Sequence, residues 1–218
     1  MNKFAEQIAA AALKIGAIQL QPDEPFRWAS GYYMPIYNDN RLLLSEAKHR
    51  RLVAEGMQSI IREHNLKYDV IAGTATAGIA PATSLADLEE SPLIYVRPKP
   101  KDHGKQNQVE GKLTRGARAL LIEDVVSTGG SSIKAALALR TEGAVVENCL
   151  CIFTYGFTAS QELFEKNNCS ILPLLDFPSL LEIAHKSGKI SSENVEDLKH
   201  WAAAPFEWGN SRGFPAEN

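Results

Sequence analysis

Two carboxylates, Glu123 and Asp124, stand where an apolar run ends and a loop of hydroxyls and glycines begins. The run is Ala119, Leu120, Leu121 and Ile122, short enough to be a buried parallel strand. The loop is Val125, Val126, Ser127, Thr128, Gly129, Gly130 and Ser131, and residues 133–140 beyond it read as a helix. Small residues let backbone N–H groups close around a phosphate at a helix N-terminus, where the dipole favours an anion. The acids cannot also bind phosphate. They suit ribose hydroxyls, or a Mg²⁺ that accompanies polyphosphate. Strand, acid pair, small-residue turn and helix together describe a ligand site at the carboxyl end of a sheet strand. Neither G-x-x-x-x-G-K-[ST] nor G-x-G-x-x-G occurs here, which excludes the two commonest phosphate motifs for this loop. The competing reading is an ordinary strand, turn and helix with a capping hydroxyl.

A second stretch with chemical potential is residues 97–111. It carries Arg97, Lys99, Lys101, His103 and Lys105, with two prolines, two glycines and no apolar period. This predicts a long mobile loop. Alone, it would pass for a solvated basic surface. Next to phosphate loops, it reads as a lid that closes on a polyanion, excludes water and offsets charge in the transition state. A third stretch, Gly73, Thr74, Ala75, Thr76, Ala77 and Gly78, follows a strand-like run at residues 68–72. By itself it is a weak phosphate-loop signal.

The elements that must hold these residues alternate between strand and helix. Residues 4–15 predict a helix closed by Gly16. Residues 17–20 and 26–28 predict short antiparallel strands, with 22–25 as their turn. Residues 45–64 form an amphipathic pattern, with Ser45 as its cap and Val53, Met57, Ile60 and Ile61 as its stripe. A helix over 81–88, a buried strand at 93–96 and a strand over 144–153 follow. Helices over 178–185 and 192–203 come next, bounded by Gly188, Ser192 and Pro205. The tail from residue 206 reads as irregular. The fold class is α/β, a central mostly parallel sheet flanked by helices.

The chain has 218 residues, 44% of them hydrophobic, enough for one sizeable α/β domain with a small hood. A net charge of −3 argues against a general nucleic-acid binder. No apolar run reaches the length of a membrane span, and residues 1–12 lack the pattern of a signal peptide. Cys149, Cys151 and Cys169 show no C-x-x-C spacing and read as reduced thiols of a cytoplasmic protein. His49, His64, His185 and His200 lie on predicted helices without metal-ligand spacing.

The run from Leu120 to Ser132 resembles the signature of the type I phosphoribosyltransferases. The resemblance implies that family's fold. In it, the loop of Val125, Val126, Ser127, Thr128, Gly129, Gly130 and Ser131 holds the 5′-phosphate of phosphoribosyl diphosphate, and Glu123 and Asp124 face the ribose hydroxyls. Two further segments resemble the orotate phosphoribosyltransferases. One is the hood pattern Phe26-x-Trp28-x-Ser30-Gly31-x-x-x-Pro35-Ile36-Tyr37-x-Asp39-x-Arg41. The other is Arg97-x-x-x-Lys101-Asp102-His103-Gly104. The resemblance covers residues 4–200 and implies one domain over 1–218, with the hood largely 1–42 and the core about 43–205.

It also implies orotate contacts at Ser30, Gly31 and Ser127, and diphosphate contacts at Thr74, Ala75 and Thr76, with the Ala75–Thr76 peptide in cis. Arg97, Lys101 and His103 would steady the departing pyrophosphate while C1′ gains oxocarbenium character. Lys101, His103 and Asp124 are the catalytic candidates. The implied reaction joins orotate to phosphoribosyl diphosphate, giving orotidine 5′-monophosphate and pyrophosphate for UMP synthesis. Its Mg²⁺ arrives on the diphosphate and takes no direct protein ligand. The implied assembly is a homodimer, with each basic loop reaching the neighbouring site, and with no nucleic acid or membrane as partner.

The sequence departs from the family at Ala29, Ala77, Pro98 and Tyr155, where many or some members have a basic residue. Two rivals stay open: a phosphoribosyltransferase acting on another base, and a non-catalytic sensor of phosphoribosyl diphosphate that binds nucleic acid.

Overall fold

The strands and helices expected from hydrophobic spacing are mostly present in a computed structural model that describes residues 3–28, 31–100 and 108–215. The chain divides into two compact units, Met1–Leu43 with Phe177–Asn218, and Leu44–Asp176. The sequence suggests that the core extends to about residue 205, but the division ends that unit at Asp176.

The first unit opens with α1 (Lys3–Ile15), which buries Ala5, Ile8, Ala9 and Ala12 on one helical stripe. Four short strands follow: β1 (Ile18–Leu20), β2 (Phe26–Arg27), β3 (Tyr33–Met34) and β4 (Ile36–Asn38). The expected pairing across residues 22–25 does not occur. β2 pairs with β3 and β1 pairs with β4, both antiparallel, so one hairpin nests inside the other. The reversal sits at Gly31, at φ 83, whose N–H donates to Trp28 O at 2.9 Å. Pro22 and Pro25 have no N–H with which to close a turn between β1 and β2.

A 3₁₀ segment, Asn40–Ser45, leads to the second unit. Ser45 therefore does not cap α2 (Ala47–Glu63); Glu46 holds the N-cap position, in extended conformation and with no capping hydrogen bond from its side chain. The expected stripe of Val53, Met57, Ile60 and Ile61 is buried. Then come β5 (Val70–Thr74), α3 (Ile79–Glu89), β6 (Leu93–Val96), β7 (Val109–Glu110), β8 (Ala119–Val126) and α4 (Gly130–Thr141). After them lie β9 (Asn148–Thr154), α5 (Thr158–Lys166) and β10 (Ser170–Asp176).

The sheet order is β10-β9-β8-β5-β6-β7, parallel except for β7. β8 lies inside the sheet, and its first five residues are buried. Ile133, Ala136 and Leu139 of α4 share one buried core with Val70, Ala72, Leu121, Cys149 and Cys151. Burial raises both thiols well above the usual cysteine range.

Two elements carry no clear sequence signal. β10 contains Pro173, which a strand tolerates at a sheet edge, where β10 lies. α5 is a nine-residue helix with only Ser160 and Phe164 buried. β6 is not buried on both faces as the sequence suggests, because Leu93 and Tyr95 are each 36% exposed.

The first unit is completed by α6 (Phe177–Lys186), α7 (Ser192–Ala203) and α8 (Trp208–Ser211). α6 packs on α1, and buried Trp201 of α7 meets Phe177 edge-on with ring centroids 5.0 Å apart. The cap of α7 is Ser191, one residue before the expected Ser192, in a reciprocal box with Asn194. The tail is less irregular than expected, since α8 buries Trp208 and Gly209.

Candidate active site

Strand order reverses between β5 and β8. From β5 the chain steps to β6 on one side, then returns to β8 and proceeds to β9 and β10 on the other. In open α/β sheets such a switch point leaves a crevice beyond the carboxyl ends of the strands. Register aligns Gly73 with Ile122, so Thr74 ends its strand beside Glu123. A cavity of about 410 Å³ lies here, lined by Thr74, Ala75, Thr76, Ala77, Val96, Arg97, Pro98, Gln108, Glu123, Asp124, Gly130, Ser131, Lys134 and Ala135. All of these belong to the Leu44–Asp176 unit.

The two acids occupy different environments. Asp124 is half-buried, whereas Glu123 is only 6% exposed. Glu123 Oε1 accepts the Asp124 N–H at 3.0 Å, and Oε2 accepts the Ser132 hydroxyl at 3.1 Å. The Thr74 hydroxyl lies 2.7 Å from Glu123 Oε1 and 3.1 Å from Ile122 O. It has a single proton for those two acceptors. A protonated Glu123 satisfies both, donating to Thr74 while Thr74 donates to Ile122. Burial, and then the neighbouring Asp124, push the Glu123 carboxyl up to about 8. The neutral acid is therefore the dominant form at pH 7.

Backbone geometry fixes the loops on either side. The Ala75–Thr76 peptide is cis, as the family resemblance implies. Gly78 brings the start of α3 against the strands: a Cβ there would lie 2.3 Å from Thr74 Oγ1 and 2.5 Å from Ile122 O. Gly129 is the N-cap of α4 at φ 81, a left-handed conformation that favours glycine. Val126 O accepts the Thr154 hydroxyl at 3.1 Å and the Tyr155 N–H at 3.2 Å, which pins β8 where the loop leaves it.

The basic segment has a defined root. Arg97 N–H donates to Gln108 O at 2.8 Å, and Gln108 Nε2 donates to Arg97 O at 2.9 Å. β7 then pairs antiparallel with β6, so Val109 and Glu110 of the expected loop are strand-paired rather than looped. Arg97 Nη1 is 3.5 Å from Glu110 Oε1.

The cavity thus brings together Thr74, Ala75, Thr76, Arg97, Glu123, Asp124, Gly130 and Ser131. The strand runs on past the acids, so Val125 and Val126, expected on the loop, end β8, while Ser127, Thr128 and Gly129 form the turn into α4; none of the five lines the cavity. Gly31 sits at the hairpin turn of the other unit. Ser30, Lys101 and His103 lie outside the described residues. Three contributors are not singled out by the sequence: Ser132 beneath Glu123, Gln108 at the hairpin root, and Lys134 in the cavity wall. For Lys134 a signal exists. It follows Ser131 by three residues on a helix, hence on the same face.

This arrangement of switch-point cavity, acid pair and glycine loop defines a phosphoribosyltransferase. The phosphoribosyl transferase domain family matches residues 43–172. An orotate phosphoribosyltransferase of Cutibacterium acnes is 43% identical over 210 residues, spanning 96% of this chain and 97% of that one. Another, from Halalkalibacterium halodurans, is 46% identical over 200 residues, spanning 92% and 95%. A crystal structure of orotate phosphoribosyltransferase from Aeropyrum pernix superposes with a TM-score of 0.73 at 28% identity, covering 84% of this chain and 99% of that one. The chain belongs to the orotate phosphoribosyltransferase family.

Proposed function

We propose that this chain transfers the 5-phosphoribosyl group from phosphoribosyl diphosphate to orotate, giving orotidine 5′-monophosphate and pyrophosphate in pyrimidine synthesis. The observation that carries the reading is the cavity at the β5/β8 switch point, which gathers the acid pair, the cis loop and the start of α4. Free N–H groups in the first turn of α4 suit the anionic end of the substrate. Asp124 is the acid for the ribose hydroxyls, and Glu123, held by Thr74 and Ser132, fixes the peptide that presents it. Ser127, Thr128 and Gly129 hold the 5′-phosphate. Ser30, Gly31 and Ser127 receive orotate. Arg97, Lys101 and His103 offset the charge that grows on departing pyrophosphate.

Mg²⁺ fits this donor set. It arrives on the diphosphate with several of its waters, beside the carboxylate of Asp124 in the cavity wall, and takes no direct protein ligand. When bound, it would offset charge on the diphosphate. The protein acts in the cytoplasm, a reading supported by three buried cysteines that form no disulfide.

The active form is a homodimer with shared sites. Leu93 and Tyr95 support this, as they expose one face of β6 directly before the basic segment. Turnover assays with orotate and with each purine and pyrimidine base test the activity. Orotidine 5′-monophosphate should form only from orotate, and preference for another base would overturn the reading. Sharing is tested by mixing inactive Lys101→Ala and Asp124→Asn subunits under conditions of exchange. One site of each mixed dimer then carries both defects and the other neither, so activity should return. Demonstrated exchange without recovery would place the loop in its own subunit's site.

A further inference from the structure

We propose that Lys134 is a substrate-binding residue, a fixed cation that holds the diphosphate at the wall of the cavity. The inference rests on the phosphoribosyl transfer just described. Among the described residues, four charged ones line the cavity: Arg97, Glu123, Asp124 and Lys134. Arg97 shares its guanidinium with Glu110 at 3.5 Å. Glu123 is buried and turned into bonds with Thr74 and Ser132. Lys134 is exposed, and among the described residues it makes no hydrogen bond or ion pair. The rest of the wall offers Ala77, Pro98 and Gln108, none of them charged.

Position strengthens the case. Lys134 stands one helical turn beyond Gly130 and Ser131 on the rigid α4, whose next residue, Ala135, is buried in the core. Its ammonium can therefore reach the cavity without any movement of backbone. A leaving diphosphate gains negative charge, and a cation already in place stabilises it at no cost in reorganisation. The acids of β8 cannot fill that role, because they repel an anion.

The test is calorimetric titration of magnesium pyrophosphate into the intact protein and into Lys134→Ala and Lys134→Arg variants. One charge-assisted contact predicts about tenfold weaker binding for Lys134→Ala, with Lys134→Arg within about threefold of wild type. The KM for phosphoribosyl diphosphate should rise in parallel, while the KM for orotate stays within about twofold. Circular dichroism and thermal melts check that the fold is intact. Equal pyrophosphate affinity in folded wild type and Lys134→Ala overturns the assignment of Lys134 alone. Failure of the wild type to bind pyrophosphate and to turn over orotate overturns the functional reading, and this proposal with it.

Discussion

Two loops of small residues leave adjacent parallel strands at the candidate site, and they are built differently. The loop after β5 runs through a cis peptide at Ala75–Thr76 and enters α3 through Gly78, which has an ordinary right-handed conformation. Glycine is needed there for space, since the neighbouring atoms are the Thr74 hydroxyl and the Ile122 carbonyl. The loop after β8 enters α4 through Gly129, where glycine is needed for its left-handed backbone as well as for space. The first loop is thus shaped by what packs against it, the second largely by its own chain. They meet through one contact, the hydroxyl of Thr74 on the carboxyl of Glu123.

The largest effect should come from crowding the first loop. In Gly78→Ala the new methyl cannot avoid the Ile122 carbonyl, which is held inside the sheet. Overpacking of this kind costs about 3 kcal/mol and should appear as a lower urea midpoint with unchanged slope. A variant as stable as wild type would mean that the close approach is not real. Gly129→Ala should cost less, about 2 kcal/mol, from the left-handed backbone and from a methyl 2.9 Å from Phe164 Cε2. Here the telling measurement is kinetic. The KM for phosphoribosyl diphosphate should rise more than stability alone explains, because the phosphate loop itself is displaced.

The contrast explains what is legible in the sequence. The second loop can be read because its determinants are contiguous: acids, hydroxyls and glycines in one run ending in a helix. The cis peptide of the first loop follows from family resemblance, and nothing local in Gly73 to Gly78 demands it. The burial of Glu123 cannot be read at all. It depends on Thr74, far away in sequence, and on Ser132, whose hydroxyl looks like an ordinary helix-start residue. β10 escapes a reading of the sequence because Pro173 argues against a strand until one knows that the strand lies at the sheet edge. The exposed face of β6 escapes it because four apolar residues look alike whether one or both faces are covered. The nested hairpins of the hood are hidden because partner choice there is set by the turn at Gly31, not by the strands themselves.

Thr74→Val sharpens the comparison by cutting the contact between the loops while keeping the side chain's shape. It leaves the Ile122 carbonyl and Glu123 Oε1 without that hydroxyl, at a cost of about 1–2 kcal/mol. Turnover should fall too if Glu123 fixes the peptide of Asp124. Normal turnover in a destabilised variant would assign the contact to folding only.

The smallest change at low pH, and the most specific, is Glu123→Gln. Its amide can accept from Asp124 N–H and donate toward Ser132, so the exchange should cost about 1 kcal/mol or less at pH 5. The two proteins then diverge as pH rises. In the unfolded chain Glu123 ionises near 4.5, whereas burial and Asp124 hold it protonated in the fold up to about 8. Between those values the unfolded state binds fewer protons than the native state, so wild-type stability falls with increasing pH. The contribution of the neutral acid is fully present below the lower value and is lost as pH climbs toward the upper one. The amide of the Glu123→Gln variant does not titrate, so that variant should gain on wild type steadily from pH 5 to pH 8 in urea melts. If the two stability curves run parallel across that window, Glu123 is ionised in the fold. The Thr74 hydroxyl would then donate to a carboxylate, and the neutral link between the loops would not exist.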